Sequence, residues 1–220
     1  RFERMLAMEG AVLLKFWLHL DADRQRAHFR ALERDAATRW RVTAEDWRAN
    51  RRHKRICKVA EEAIRLSDTS HAPWHLVDAS DAAQTELMVG RIILKALREA
   101  LAGPRKPLAP ALPPLVVPSE QPAQPAHAPS KPMRKDDYQP ELERLQGRLN
   151  LLLRHPAFAR RALAVVFEGM DAAGKGGAIR RITHALDARN YRVHPVAAPT
   201  EHERLYPWLW RFWRDVPRDG

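Results

Sequence analysis

An α/β fold, with parallel strands packed between helices, is what this 220-residue sequence predicts, and three observations predict it. Residues 11–18 form a nearly continuous apolar and aromatic run, the pattern of a strand buried on both faces. A second apolar run, 162–168, leads straight into Gly169-Met170-Asp171-Ala172-Ala173-Gly174-Lys175-Gly176-Gly177 and then into a helical stretch. Helix-start signatures fall between the strand-like runs, so the two kinds of element alternate.

After the first strand, Asp21 is placed to cap a helix over 22–34, which carries Arg24, Arg26, Arg30 and Arg34. Thr43 with Asp46 three positions on makes a capping-box start for a second helix, expected to run to about Leu66. Residues 74–77 are short and β-prone. Asp81 and Gln84 then open a helix whose apolar stripe passes through Leu87, Ile92, Ile93 and Leu97. Prolines recur every few residues from Pro104 to Pro140, a density that helix and sheet interiors reject because proline lacks the N–H donor. An extended, polyproline-like tether is expected there. Beyond it the pattern gives an amphipathic helix over 138–153, the strand 162–168, a helix over 177–186 and a strand over 191–196. Thr200 and Glu203 form another capping box, and Pro207 is expected to kink that helix or restart it. Leu205, Trp208, Leu209, Phe212 and Trp213 share one helical face opposite Arg204, Arg211 and Arg214. That spacing reads as core or dimer surface rather than as a base-stacking platform.

Composition narrows the function classes only a little. Lys and Arg number 38 against 27 Asp and Glu, a net charge of +11 that favours an acidic partner. Polyphosphate, nucleotides and nucleic acid all qualify, and solvated arginines account for part of the excess. No apolar run reaches ~18 residues, so no membrane span is expected. Residues 10–20 lack a signal-peptide cleavage pattern. The single Cys57 excludes an internal disulfide and suits a reducing, cytoplasmic setting. The ten histidines, among them His71, His75, His184 and His194, show no zinc-ligand spacing, so no metal site is expected from them. Nucleophile-elbow and dinucleotide-fingerprint patterns are lacking too.

The segment 169–177 reads as a phosphate cradle, G-x-x-x-x-G-K between a strand and a helix. Its glycines let the backbone wrap an anion with N–H groups pointing inward, the helix start adds partial positive charge, and Lys175 neutralises a phosphoryl oxygen. The phosphate-binding candidates are Gly169, Ala172, Ala173, Gly174, Lys175, Gly176 and Gly177, with Asp171 and Lys175 as catalytic candidates. Gly176 stands where such loops usually carry a Ser or Thr whose hydroxyl ligates Mg²⁺. Asp171 is an acid inside an anion-binding loop, which suits either a metal-water contact or a base for the acceptor phosphate, or else a cap on the turn. Arg180 and Arg181, one turn into the helix, are candidates to extend a basic track along a polyanion.

G-x-D-x-x-G-K-G followed by Ala178-Ile179-Arg180-Arg181-Ile182-Thr183 resembles the polyphosphate kinase 2 family, as do Ala198-Pro199-Thr200-Glu201, Leu209-Trp210-Arg211-Phe212-Trp213 and Pro217. The helix with Tyr138, Glu141, Leu142, Leu145, Gln146 and Leu149 fits the same family opening. Phe2-Glu3, Leu6, Gly10 and Leu14-Lys15-Phe16-Trp17-Leu18 resemble a late strand of that fold. Gln25, Phe29, Arg39-Trp40-Arg41 and Asp46 resemble its basic lid, and Ala72-Pro73-Trp74 with Val77-Asp78-Ala79 and Asp81 its last strand. The resemblance implies the back half of one P-loop kinase-like domain over 1–102, a linker over 103–137, and the front half of a second over 138–220. Tandem copies imply a polyphosphate:AMP phosphotransferase subgroup making ADP from AMP with Mg²⁺, whose ligands lie mostly outside this chain. By the same resemblance Pro199 and Thr200 face the acceptor nucleotide, and the lid closes over the donor. Leu32 and Ala36 stand where the family lid carries an Arg and a Pro, which marks the first copy as the degenerate one.

Two expectations follow. Neither copy supplies a complete site here, so this stretch alone is expected to be inactive, and a homo-oligomer is compatible with the whole protein. In the strand order 2-3-1-4-5 of such sheets, the second copy's strand 1 can pair beside the first copy's strand 4, docking the halves as a permuted sheet. Strand 3 would be missing, leaving strand 2, residues 191–196, unsupported. The competing readings are an ATP-dependent P-loop kinase, disfavoured by Asp171 and Gly176, and a non-catalytic polyanion- or RNA-binding protein, disfavoured by the specific loop.

Overall fold

At the centre of the computed structural model, which describes residues 2–102 and 133–217, lies β1 (Val12–His19). It pairs in parallel with β2 (Trp74–Asp78) on one side and β3 (Leu163–Gly169) on the other, giving the order β2-β1-β3. Leu14 stands opposite Val165, and Phe16 opposite Phe167 with their rings stacked at 5.3 Å. The apolar run before the proline-rich stretch and the one after it therefore share one sheet, the pairing expected from docking.

Alternation along β1 sorts its side chains onto two faces. Leu14, Phe16 and Leu18 face a core built with Leu87, Ile93 and Leu97 of α5 (Ala82–Leu101) and Leu142, Leu145 and Leu149 of α6 (Lys135–Leu153). Each such fully buried side chain is worth about 1.5–3 kcal/mol in transfer free energy. The opposite face carries Leu13, Lys15 and Trp17, and α1 (Phe2–Met8) and α4 (His53–Ser67) lie against it. Lys15 is buried there, and it is tolerated because its ammonium donates to Glu3 at 2.9 Å and to the Ser67 carbonyl at 2.6 Å.

The local start signals are used as the sequence indicates. Asp21 accepts the Arg24 N–H at 2.8 Å to open α2 (Ala22–Arg34), Thr43 and Asp46 form the capping box of α3 (Ala44–Arg51), and Asp81 accepts the Gln84 N–H. Other expectations need correction. The helix from Thr43 does not run unbroken to Leu66; it turns at Arg52 (φ −98°, ψ 9°) into α4. The turn lets residues on both sides reach the end of β1: Asn50 donates to the Ala22 carbonyl, and the His53 ring bonds the Leu20 carbonyl at 2.8 Å. The helix expected over 177–186 is α7 (Lys175–Thr183), whose first turn is made by the loop's own Lys175, Gly176 and Gly177. Residues 191–196 form no strand. A parallel strand needs a neighbouring backbone, and among the described residues β3 has β1 as its ladder partner and this segment has none, so Val193 and Val196 lie exposed.

The capping box at Thr200 does form, but α8 (Glu201–Arg204) ends before Pro207 and α9 (Trp210–Trp213) restarts beyond it. Most of the stretch expected to be linker, 103–132, lies outside the described residues, whereas 135–137 already belong to α6. Among the described residues no helix is long and apolar enough to cross a membrane.

Candidate active site

The loop between β3 and α7 lies at the carboxyl end of the sheet, where ligands of open α/β folds bind. Its shape is set by residues the motif leaves unspecified. Met170 and Ala173 are buried and tie the loop to the core, and the Met170 N–H points at the Leu18 carbonyl. Gly169 has φ +148°, and a Cβ there would stand 2.4 Å from the Leu18 carbonyl oxygen, so only glycine lets β3 leave β1 at this point. Ala172 takes the left-handed conformation (φ 64°), and Gly174 does so as the N-cap of α7 (φ 80°). The N–H groups in the first turn of α7 have no intrahelical acceptor, which leaves Gly176 and Gly177 to offer donors to an anion.

Lys175 curls back into the loop, donating to the carbonyls of Gly169 at 2.6 Å and Met170 at 2.8 Å. Burial pushes its ammonium pKa below the usual lysine value, against the opposing charges of Asp171 and Glu168. A phosphoryl oxygen in the concavity would take over the bonds those carbonyls now accept. The Asp171 side chain is exposed on the rim, and among the described residues its carboxylate accepts no hydrogen bond, so the turn-capping role is not in use. The Asp171 main-chain carbonyl, by contrast, accepts from Gln25 of α2 at 2.8 Å.

The other expected site residues are placed unequally. Arg180 is exposed, with its Nε 3.5 Å from the Gly176 carbonyl. Arg181 points to α5 and α6: it lies 3.4 Å from Glu86 and donates to the Tyr138 hydroxyl at 3.1 Å, while that hydroxyl donates to Glu86. Burial, with the Glu86 bond, holds the Tyr138 pKa above its ordinary value. Glu86 also crowds the start of α7, since a Cβ on Gly177 would fall 2.7 Å from its carboxylate. Pro199 is half-buried, and the Thr200 hydroxyl is spent on capping α8, where it accepts from Glu203. Sequence reasoning missed Asn50 and Glu86, because each acts through a contact distant in the chain, and Glu168, which acts on Lys175 across the turn of the loop. A groove of about 770 Å³ lined by Trp17, Ile56, Trp74 and Glu168 opens on the α4 side of the sheet.

The model of the polyphosphate kinase 2 family matches residues 1–103 and 132–220. A polyphosphate:AMP phosphotransferase of Pseudomonas aeruginosa is 42% identical over 99% of this chain and 44% of its own length. The protein of the same name from Pseudomonas syringae pv. tomato is 40% identical over 100% of this chain and 45% of its own. A solved Pseudomonas aeruginosa structure assigned to the same kinase family is 36% identical, covering 100% of this chain and 41% of that one, with a TM-score of 0.39. This chain thus spans less than half the length of these relatives.

Proposed function

The chain belongs to the polyphosphate kinase 2 family, and on that premise we propose that it carries the phosphate loop of an enzyme moving a phosphoryl group from inorganic polyphosphate to a nucleotide, AMP foremost. The observation that carries this reading is Lys175, held by two loop carbonyls where a phosphoryl oxygen would replace them. Relatives named polyphosphate:AMP phosphotransferases support AMP as the nucleotide. In the transfer, the terminal phosphoanhydride bond breaks as an AMP phosphate oxygen bonds the phosphorus, leaving ADP and a polyphosphate one unit shorter.

Phosphoryl transfer asks for position and charge neutralisation more than for covalent help. The N–H groups of Gly176 and Gly177 and the Lys175 ammonium hold the reacting phosphates, and Arg180 extends the positive track. Pro199 and Thr200 border the acceptor. Mg²⁺ suits this donor set, because it binds through one or two carboxylates together with substrate phosphates. Asp171 offers one uncommitted carboxylate at the rim, and no cluster of three or more His, Cys, Asp or Glu forms a cage among the described residues. The ion, when bound, neutralises charge on the phosphoryl oxygens. A reducing, cytoplasmic setting goes with these substrates and with the single cysteine.

The test is ADP formation from AMP, polyphosphate and Mg²⁺ by the full-length polypeptide, followed by chromatography beside Lys175→Ala. ADP falling at least about 100-fold in the variant is the expected result, the scale of losing one preorganised donor. ADP formed only with ATP as donor would replace this reading with an ordinary kinase. Salt-sensitive binding without turnover would leave a polyanion-binding protein.

A further inference from the structure

Among the described residues two side chains donate to main-chain carbonyls of residues 169–174, and only one of them can keep its bond once phosphate binds. Lys175 ties the loop to itself through the Gly169 and Met170 carbonyls, but on phosphate binding it turns from them to a phosphoryl oxygen. The other tie comes from α2. Gln25 is fully buried, 0% exposed, and its amide donates to the Asp171 carbonyl at 2.8 Å. Its own oxygen accepts from the Asn50 amide at 2.7 Å, and Asn50, also buried, donates in addition to the Ala22 carbonyl at 3.0 Å. Both ends of this relay are main-chain carbonyls, which can only accept, so the orientation of both amides is fixed. Asp171 immediately precedes Ala172, the one non-glycine residue at positive φ among the described residues.

We propose that Gln25, backed by Asn50, is a positioning residue that presets the Asp171–Ala172 turn for phosphate and keeps it set once Lys175 has moved onto the ligand. The helices that by resemblance form the lid then do more than cover the site, since α2 reaches into the loop at its strained residue. The inference rests on the phosphate-binding reading and adds a residue to it. Without the Gln25 bond, the left-handed turn at Ala172 must form at the moment of binding, so the cost appears in affinity for the polyanion. With Gln25→Met, which keeps side-chain length but has no N–H, that cost amounts to a tenfold or greater rise in Kd.

The experiment measures the Kd of the full-length polypeptide for inorganic polyphosphate well below the melting temperature, together with amide exchange of the 170–174 segment. In Gln25→Met the Kd rises about tenfold, exchange in 170–174 accelerates more than in the rest of the chain, and adding Ala172→Gly recovers part of the affinity. Should Gln25→Met fail to fold, Asn50→Leu decides the question, because it keeps the Gln25 side chain but removes the donor that fixes its orientation, and wild-type Kd in that folded variant would count equally against the proposal. Wild-type Kd in a folded Gln25 variant, with only its melting temperature lowered, would overturn the proposal. Lys175→Ala separates the two levels: if it binds polyphosphate like the wild type, the phosphate-loop reading itself fails. If it weakens binding and the Gln25 variant does not, only the positioning role fails.

Discussion

Two stretches of this chain share one expected plan, a strand followed by a loop and a helix start, and they end up differently. Residues 163–183 become β3, the phosphate loop and α7, with Met170, Ala173 and Ala178 buried. Residues 191–213 become an irregular segment and two four-residue helices, with Leu205 80% and Trp208 62% exposed. Propensity separates them only in part, through Arg192, His194 and Pro195, the last without an N–H to give a ladder. The first run finds the open edge of β1 and a core face already lined by α5 and α6, whereas the second finds no backbone to pair with. Its aromatic residues mostly contact one another: Tyr206 stacks on Trp210 at 4.1 Å, and Arg214 lies over the same indole. A strand in an α/β sheet is thus a property of its neighbour as much as of its sequence.

The comparison breaks most sharply at Phe16, which is fully buried and stacked on Phe167 across the β1–β3 seam. Phe16→Ala is expected to cost about 3–5 kcal/mol, read as a fall in the denaturation midpoint. An unchanged midpoint would mean that the seam does not hold the two segments together. A smaller effect sharpens the picture at Glu141. The hydrogen bond from Arg144, with further help from Arg91 of α5, pulls its pKa down to about 2. A carboxylate whose pKa is lowered on folding stabilises the fold above its unfolded pKa of about 4.3, and that contribution is lost as pH falls through 2. Glu141→Gln is therefore expected to lower stability by no more than about 1 kcal/mol near neutrality, because both arginines stay half-exposed. Thermal melts should show the difference from wild type vanishing between about pH 4.3 and pH 2. The smallest effect belongs to the other region, where Trp208→Ala should stay within about 0.5 kcal/mol of wild type by denaturant titration.

Cap residues were legible in the sequence because their bonds close within three residues, as at Asp21, Thr43, Asp81 and Thr200. The loop was legible as well, since Lys175 bonds carbonyls five and six residues back and Gly174 turns at its own positive φ, although the need for Gly169 comes from Leu18, remote in the chain. Three features were not, because each depends on contacts remote in the chain. The turn at Arg52 answers to carbonyls at the end of β1, and Arg181 meets Glu86 and Tyr138 across to α5 and α6. Gln25 stood out only through a resemblance to a lid, and nothing local marks it as a partner of a carbonyl some 146 residues away.

The position of β1 between its two neighbours also sets a timetable. β2 follows it by a few tens of residues, whereas β3, its partner through seven register positions, lies about 150 residues downstream. At roughly 5–20 residues per second of synthesis, the second neighbour emerges about 7–30 s after the first strand. Throughout that interval none of the described residues pairs with that side of the central strand, whose N–H and C=O groups β3 later takes up. The arrangement that completes the sheet thus makes its closure a late event of synthesis, timed by the length of chain between the two strands.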